Sequence, residues 1–407
     1  MLNQISGGVC AAKGFTAAGV HCGVKAGSSP DKNDLALILS EKECAAAATY
    51  TMNRVKAAPL YVTMDHLENG VAWGVVANSG NANACCPQSH ENAEAMSTAA
   101  AAATGREPGD FVVASTGVIG QTINISAIQA GLPQAAAALS ADGSDAAAHA
   151  IMTTDTVKKE IAVSLTIVGK EVRLGAIAKG SGMIHPNMGT MLAFVTTDCA
   201  ITHELLSDAL HEVVSRTFNR VTVDGDTSTN DMCVVLANGM AGNSLIEWKD
   251  QDYETFLAAL EEVCRHLSRA IAGDGEGASK LVTCKMHGAR SEESAERLAK
   301  AVVGSSLVKA AMFGADANWG RVLCAMGYSK APFRPEHVDV SFCSQAGSIL
   351  VCKQGDGVDF DEDKAKTILT EKEVIIDVDL HEGDESAECW GCDLTYDYVK
   401  INGDYRT

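Results

Sequence analysis

Residues 176–198 read AIAKGSGMIHPNMGTMLAFVTTD. The first part is crowded with turn formers: Gly180, Gly182, Pro186, Asn187 and Gly189. After Thr190, the run Met191 to Val195 has the apolar composition of a short buried strand. A threonine at such a junction is either a strand-edge residue or a nucleophile exposed by cutting the chain in front of it. The second reading makes specific demands. An N-terminal threonine carries its own base, because its α-amino group can take the proton of its attacking Oγ. A reference α-amino pKa of about 7.7–8.0 leaves a usable neutral fraction near pH 7. The amine is released if Thr190 Oγ attacks the Gly189 carbonyl and water hydrolyses the resulting ester. Pro186 fixes φ and Gly189 admits unusual dihedrals, so strain can be stored before the threonine. The strand behind it would hold the nucleophile still. From this stretch alone, both readings stand.

A second stretch strengthens the catalytic one. ASTGVIG, residues 114–120, sets Thr116 and Gly117 at the end of an apolar strand. A tetrahedral oxyanion needs preorganised donors, and a backbone N–H beside a hydroxyl supplies them. A plain Ser/Thr/Gly turn has the same local pattern.

Composition bounds the rest. A chain of 407 residues exceeds one ordinary core and suggests two or three domains. With 52 acidic against 32 basic residues the net charge is −20, which argues against nucleic acid or an anionic membrane as partner. No apolar stretch is long enough to span a bilayer, and the N-terminal MLNQISGGVCAAKGF lacks the regions of a signal peptide. The 14 cysteines lie scattered in Ala/Val-rich runs, as reduced core residues of a cytoplasmic protein would.

Strand and helix patterns alternate along the chain. GFTAAGVHCG, DLALILSE and NGVAWGVVANSG read as strands, and QSHENAEAMSTAAAAATG as a helix closed by Gly105. ISAIQAGLPQAAAALS reads as a helix broken at Pro133, and residues 158–180 as a hairpin turning at Gly169–Lys170. VTVDGD and DMCVVLAN read as strands. DYETFLAALEEVCRHLSRAIAGDG and SEESAERLAKAVVGSSLVKAAMFG read as long helices, and the C-terminal GCDLTYDYVKINGDYRT as a closing strand. The alternation predicts α/β layers, and the long hairpins argue against a doubly wound parallel sheet.

Other motifs carry less. His203 and His211 in HELLSDALH are eight apart, not the i, i+4 spacing of a zinc helix. Cys389 and Cys392 form a lone C-x-x-C, better read as buried thiols than as metal ligands. GDGEGASK, residues 273–280, lacks phosphate-loop spacing and reads as a tight turn that presents Glu276 to a cavity or to solvent.

Together KGSGMIHPNMGTMLAFVTTD, NSGNANAC, STGVIG, GDGEGASK, GADANWGR and WGCDLTYDYVKINGDYRT resemble the ornithine acetyltransferase family, from residue 1 to 407. The resemblance implies a layered α-β-β-α, self-processing N-terminal-nucleophile fold with a smaller C-terminal α/β domain. It implies a cut between Gly189 and Thr190, giving an α chain of residues 1–189 and a β chain of 190–407. The structural division would fall near residues 1–275 and 276–407. Thr190 would be the nucleophile, Thr116 and Gly117 the oxyanion hole. Thr153, Lys179, Thr190, Glu276, Asn402 and Thr407 would contact substrate. The implied reaction moves an acetyl group from N2-acetyl-L-ornithine to L-glutamate in arginine biosynthesis. It needs no metal or other cofactor, although bifunctional members also accept acetyl-CoA as donor. Two α and two β chains would assemble. A nucleophile of this kind also serves aminopeptidases and amidases, where water resolves the acyl-enzyme. Two departures from the family pattern stand out: Gly189 replaces the alanine of many members, and Cys85–Cys86–Pro87 follows NSGNANA where a small turn residue often follows one cysteine.

Overall fold

The computed structural model describes residues 2–185 and 191–404. Pro186, Asn187, Gly189, Thr190 and Thr407 lie outside the described residues.

One strand organises the larger part of the molecule. Leu35–Tyr50 runs for 16 residues, twice the length that DLALILSE suggests, because the alanine-rich ECAAAATY continues it. Its first half pairs with Phe15–Val20 and Val71–Asn78, and its second half with Met232–Ala237. Between the halves the pairing register shifts and Glu41, Lys42 and Glu43 are exposed. A nine-stranded sheet is thereby folded over on itself. Ile38, Ala46, Val75 and Val112 from one side meet Ile177, Leu192, Phe194 and Val234 from the other in a shared buried layer.

The outer faces are covered by helices. Ala58–His66, Ser89–Thr104 and Ile125–Ala137 lie over one side. His203–Arg216 and Gln251–Gly273 lie over the other, against Val163, Leu174, Ala193 and Val235. The layers are therefore α-β-β-α, as expected. In Leu192–Thr197 alternate residues serve different layers: Leu192 and Phe194 face the inner one, Ala193 and Val195 the helices. A strand buried on both faces must read as a continuous apolar run, which is how MLAFV reads.

A second sheet of six strands spans Leu281–Ala289 to Glu385–Cys392, with its own buried core beneath helices such as Glu292–Gly304 and Ser306–Phe313.

Five local readings are corrected. VTVDGD is an irregular segment, joined to the second sheet by one bridge, Val221 to Trp390. Pro133 sits inside a continuous helix; losing one N–H did not end it. The hairpin turns one residue earlier, at Val168–Gly169, both with positive φ. The C-terminal segment leaves the second sheet at Cys392 and forms a helix, Tyr396–Asp404. The long helix expected over 291–314 is divided at Ser305, whose side chain accepts from Val308 N–H and caps a new helix.

Candidate active site

At one end of the folded sheet several strands begin or finish together. Lys179 closes Lys170–Lys179 and stands opposite Leu192, which opens the next strand. Leu192 in turn pairs in parallel with Met232, and Met191 O accepts from Met232 N–H at 2.9 Å. Phe111–Ser115 delivers Thr116 and Gly117 to the same end. A cavity of about 150 Å³ opens there. Of the expected site residues, Thr116, Gly117, Thr153, Lys179, Glu276 and Asn402 all line it. Met191, the residue bonded to Thr190, lines it too. Thr190, Gly189 and Thr407 lie outside the described residues.

Gly117 has φ 132°, and a Cβ there would lie 2.4 Å from the Gly80 carbonyl carbon. No other residue fits without moving that backbone. The loop is braced by amides from NSGNANA. Ser115 Oγ donates to Asn78 Oδ1 at 2.6 Å, and Asn78 Nδ2 donates to Asn81 O at 3.0 Å. Asn230 Nδ2 donates to both Ala82 O and Ser115 O, at 2.6 and 2.8 Å. The Thr116 hydroxyl makes no hydrogen bond with any described residue.

Glu276 occupies the tight turn after the long helix, and the turn presents it to the cavity rather than to solvent. Its amide donates to Ser181 O at 3.0 Å, and Asn402 Nδ2 donates to its carboxylate at 2.8 Å. Gly182 makes room: a Cβ there would lie 2.3 Å from the Glu276 carboxyl carbon. The C-terminal helix thus supplies Asn402 from the far end of the chain.

Behind the cavity lies a buried cluster of charges. Lys159 Nζ donates to Asp155 Oδ1 at 2.7 Å and to Asp274 Oδ2 at 2.6 Å. Gly180 N–H also donates to Asp155 Oδ1, at 2.7 Å, and Thr153 N–H to Oδ2, at 3.1 Å. Burial raises the pKa of Asp155, but Lys179, Lys159 and the Gly180 amide outweigh it and hold the carboxyl at about 2. Burial pulls Lys179 below the usual lysine range, with Lys159 adding to the effect and Asp155, Asp231 and Glu276 opposing it. No ion pair of the Lys179 ammonium occurs among the described residues.

The residues leading up to His185 are fastened. Asp224 accepts from Met183 N–H at 2.6 Å and Ile184 N–H at 2.9 Å. Thr227 Oγ1 donates to His185 O, and His185 Nδ1 lies 3.0 Å from Thr222 Oγ1. This is the work of VTVDGD and the residues after it.

A family model described as "ArgJ family" matches residues 16–407. The chain belongs to the ArgJ family. It is 53% identical over 407 residues to the arginine biosynthesis bifunctional protein ArgJ of Symbiobacterium thermophilum, covering all of both chains. It is 50% identical to ArgJ 1 of Clostridium acetobutylicum, across 97% of this chain and 96% of that one. The crystal structure of ArgJ from Bacillus halodurans matches 53% of this chain and all of that chain, at 47% identity and a TM-score of 0.51. The expected family and layered fold are those found.

Against that ArgJ background, some cavity residues escaped sequence reasoning: Ser228, Asn230, Asp231 and, behind them, Asp155. TSTND immediately precedes an apolar strand, as Thr190 does, and that was the available signal. Only the parallel pairing of the two strands brings the two starts together. His203 and His211 are ordinary helix residues bonded to the carbonyls of Ala46 and Ser207. Cys389 and Cys392 are buried, and burial pushes the Cys389 thiol up to about 12.

Proposed function

We propose that the protein transfers the acetyl group of N2-acetyl-L-ornithine to L-glutamate through an acetyl ester on Thr190. The observation that carries this reading is the convergence of Thr116, Gly117, Thr153, Lys179, Glu276 and Asn402 on one cavity beside Met191. The names of the ArgJ relatives, which assign them to arginine biosynthesis, support it.

The precursor cuts itself between Gly189 and Thr190. The new α-amine then takes the proton of Thr190 Oγ as that oxygen attacks the acetamide carbonyl. Thr116 Oγ1 and the Gly117 N–H donate to the oxyanion. The C–N bond breaks, and the proton passes to the departing α-nitrogen of ornithine. Glutamate enters with a neutral α-amine, attacks the ester, and leaves as N-acetylglutamate; Thr190 Oγ regains its proton. Lys179 pairs with the α-carboxylate that both amino acids share. Glu276, steadied by Asn402, faces the ornithine ammonium, and Thr153 and Thr407 supply polar contacts. Between the two amides the acetyl group rests on an ester, and the chemistry calls on no metal or prosthetic group. Acetyl-CoA is a second donor to assay in the same site. The cut chains assemble as α2β2, and the enzyme works in the cytoplasm, consistent with no membrane-spanning helix among the described residues.

The test combines N-terminal sequencing with an exchange assay. The purified protein should give two fragments meeting at 189/190 and should release ornithine from acetylornithine only when glutamate is present. Release without any amine acceptor would favour an amidase. Thr190→Ala should remain uncut and inactive, whereas Thr190→Ser should be cut and keep part of the activity. A cut Thr190→Ala chain would show the nucleophile to be misplaced.

A further inference from the structure

Three residues proposed to contact substrate stand next to the buried charge cluster. Thr153 is two residues from Asp155 and donates its amide to it. Lys179 precedes Gly180, whose amide donates to the same carboxylate. Glu276 is two residues after Asp274, which shares Lys159 with Asp155. Asp274 also accepts from Thr156 N–H at 3.0 Å, so the loop carrying Thr153 is held from both sides. Ser181 Oγ donates to Asp274 O at 2.7 Å, which ties the turn after Lys179 to the turn that bears Glu276.

Charge distribution in the cluster is uneven. Lys159 has no side-chain exposure and hydrogen-bonds both carboxylates. Lys179 is also buried yet makes no ion pair among the described residues, and it faces the cavity. A buried ammonium without a counter-charge is strongly disfavoured. The groups whose charges act on Lys179 are Asp155, Asp231 and Glu276, which favour its ammonium, and Lys159, which opposes it. Among the acids, Asp155 exerts the largest effect. Asp231 and Glu276 belong to the cavity wall itself.

We propose that Asp155 is the positioning residue for carboxylate recognition: through Lys159, Asp274 and the amides of Thr153 and Gly180 it locks Thr153, Lys179 and Glu276 into one array and supplies the field that readies Lys179 for an anionic substrate. The inference rests on the proposed acetyl transfer only for the identity of the substrates. Asp155 touches no substrate. It acts through Lys179, and its removal should therefore change substrate affinity and its pH dependence before it changes turnover.

The experiment uses two variants of opposite sign. Asp155→Asn removes an anion beside Lys179, so the ammonium form loses support and Lys179 titrates at lower pH. Lys159→Gln removes a cation, so Lys179 titrates at higher pH. In the acetylornithine–glutamate assay, the alkaline rise in KM should move to lower pH in the first variant and to higher pH in the second. Each pH unit of displacement gives about a tenfold change in KM above the limb. Turnover at saturating substrate near neutrality should change far less. A purely structural role would depress activity at every pH and leave the limb where it is in wild type, and that result overturns the proposal.

A second readout is independent of activity. With lysine labelled by carbon-13 at Cε, the Lys179 resonance is the one absent from Lys179→Arg. Its titration should shift in opposite directions in the two variants, and an unshifted resonance overturns the proposal. If Asp155→Asn fails to fold, Lys159→Gln alone decides by the same shift to higher pH. If wild type exchanges no acetyl group, the functional reading falls while the titration still judges the array.

Discussion

Thr116 shows how little a side chain proposed for catalysis need contribute to the fold. Its backbone is tied down, with N–H donating to Asn78 O at 3.0 Å, while its hydroxyl meets no described partner and faces the cavity. Thr116→Val keeps the shape and removes only the donor. The expected outcome is a fall in kcat of roughly 10²–10³, the usual loss for one oxyanion donor, with KM and thermal stability near wild type. Steady-state kinetics beside a melting curve checks this; an unchanged kcat would remove Thr116 from the oxyanion site. At this scale much was legible. Thr116, Gly117 and Glu276 sit in short stretches whose residue types match a chemical task, whereas Lys179 was reached only through the resemblance to the ornithine acetyltransferase family. Asn230 and Asp155 were illegible because their tasks exist only after folding. Asn230 bridges Ala82 O and Ser115 O, far away in sequence. Asp155 gains its meaning from Lys159, Gly180 and Lys179, which the local sequence of residues 152–155 gives no reason to bring together.

Among elements, double burial and chain reversal decide what can be read. MLAFV and DMCVVLAN were legible as strands because both of their faces are apolar. ECAAAATY was not, since alanine is a better helix former than strand former and only the sheet partners Met232–Ala237 hold it extended. VTVDGD has the alternation of a strand but serves as a clamp, because Asp224 spends its side chain on the amides of Met183 and Ile184. The clamp carries its own pH dependence. Burial, reinforced by Lys300, lowers the His185 pKa from 6.5 to about 4. Between those values the unfolded chain binds a proton that the folded clamp does not. Its contribution is therefore complete above pH 6.5 and is lost as pH falls towards 4. Because His185 is partly exposed, screening keeps the loss to about 1–2 kcal/mol. Hydrogen exchange at Ile184 and Val223, whose amides are both bonded within the clamp, should speed up across this interval relative to the sheet interior. In His185→Gln that excess should vanish; if it persists, the titrating group lies elsewhere.

At the level of the whole molecule, strand order has a consequence for a chain cut at 189/190. Along the large sheet, Asn3–Ile5, Lys159–Ile167 and Lys170–Lys179 come first, then Leu192–Thr197 and Met232–Ala237, then Leu35–Tyr50, Val71–Asn78 and Phe111–Ser115. The two strands from beyond residue 190 are thus enclosed by strands from before it. One flank is sealed by the pairing of Leu174–Lys179 with Leu192–Thr197, the other by that of Ala45–Tyr50 with Met232–Ala237. Both outer helices of this half, His203–Arg216 and Gln251–Gly273, pack on strands of both fragments. Separating the fragments would break two ladders and open two buried layers, so cleavage cannot act as a release step. The expected outcome is that fragments 1–189 and 190–407 elute together in size exclusion under native conditions, at high salt as at low, because the contact is mainly apolar. On heating, both should lose structure in one transition, followed through labels placed separately in each fragment. A fraction containing residues 1–189 alone, still folded and obtained without denaturant, would mean that the enclosed strands are not what joins the halves.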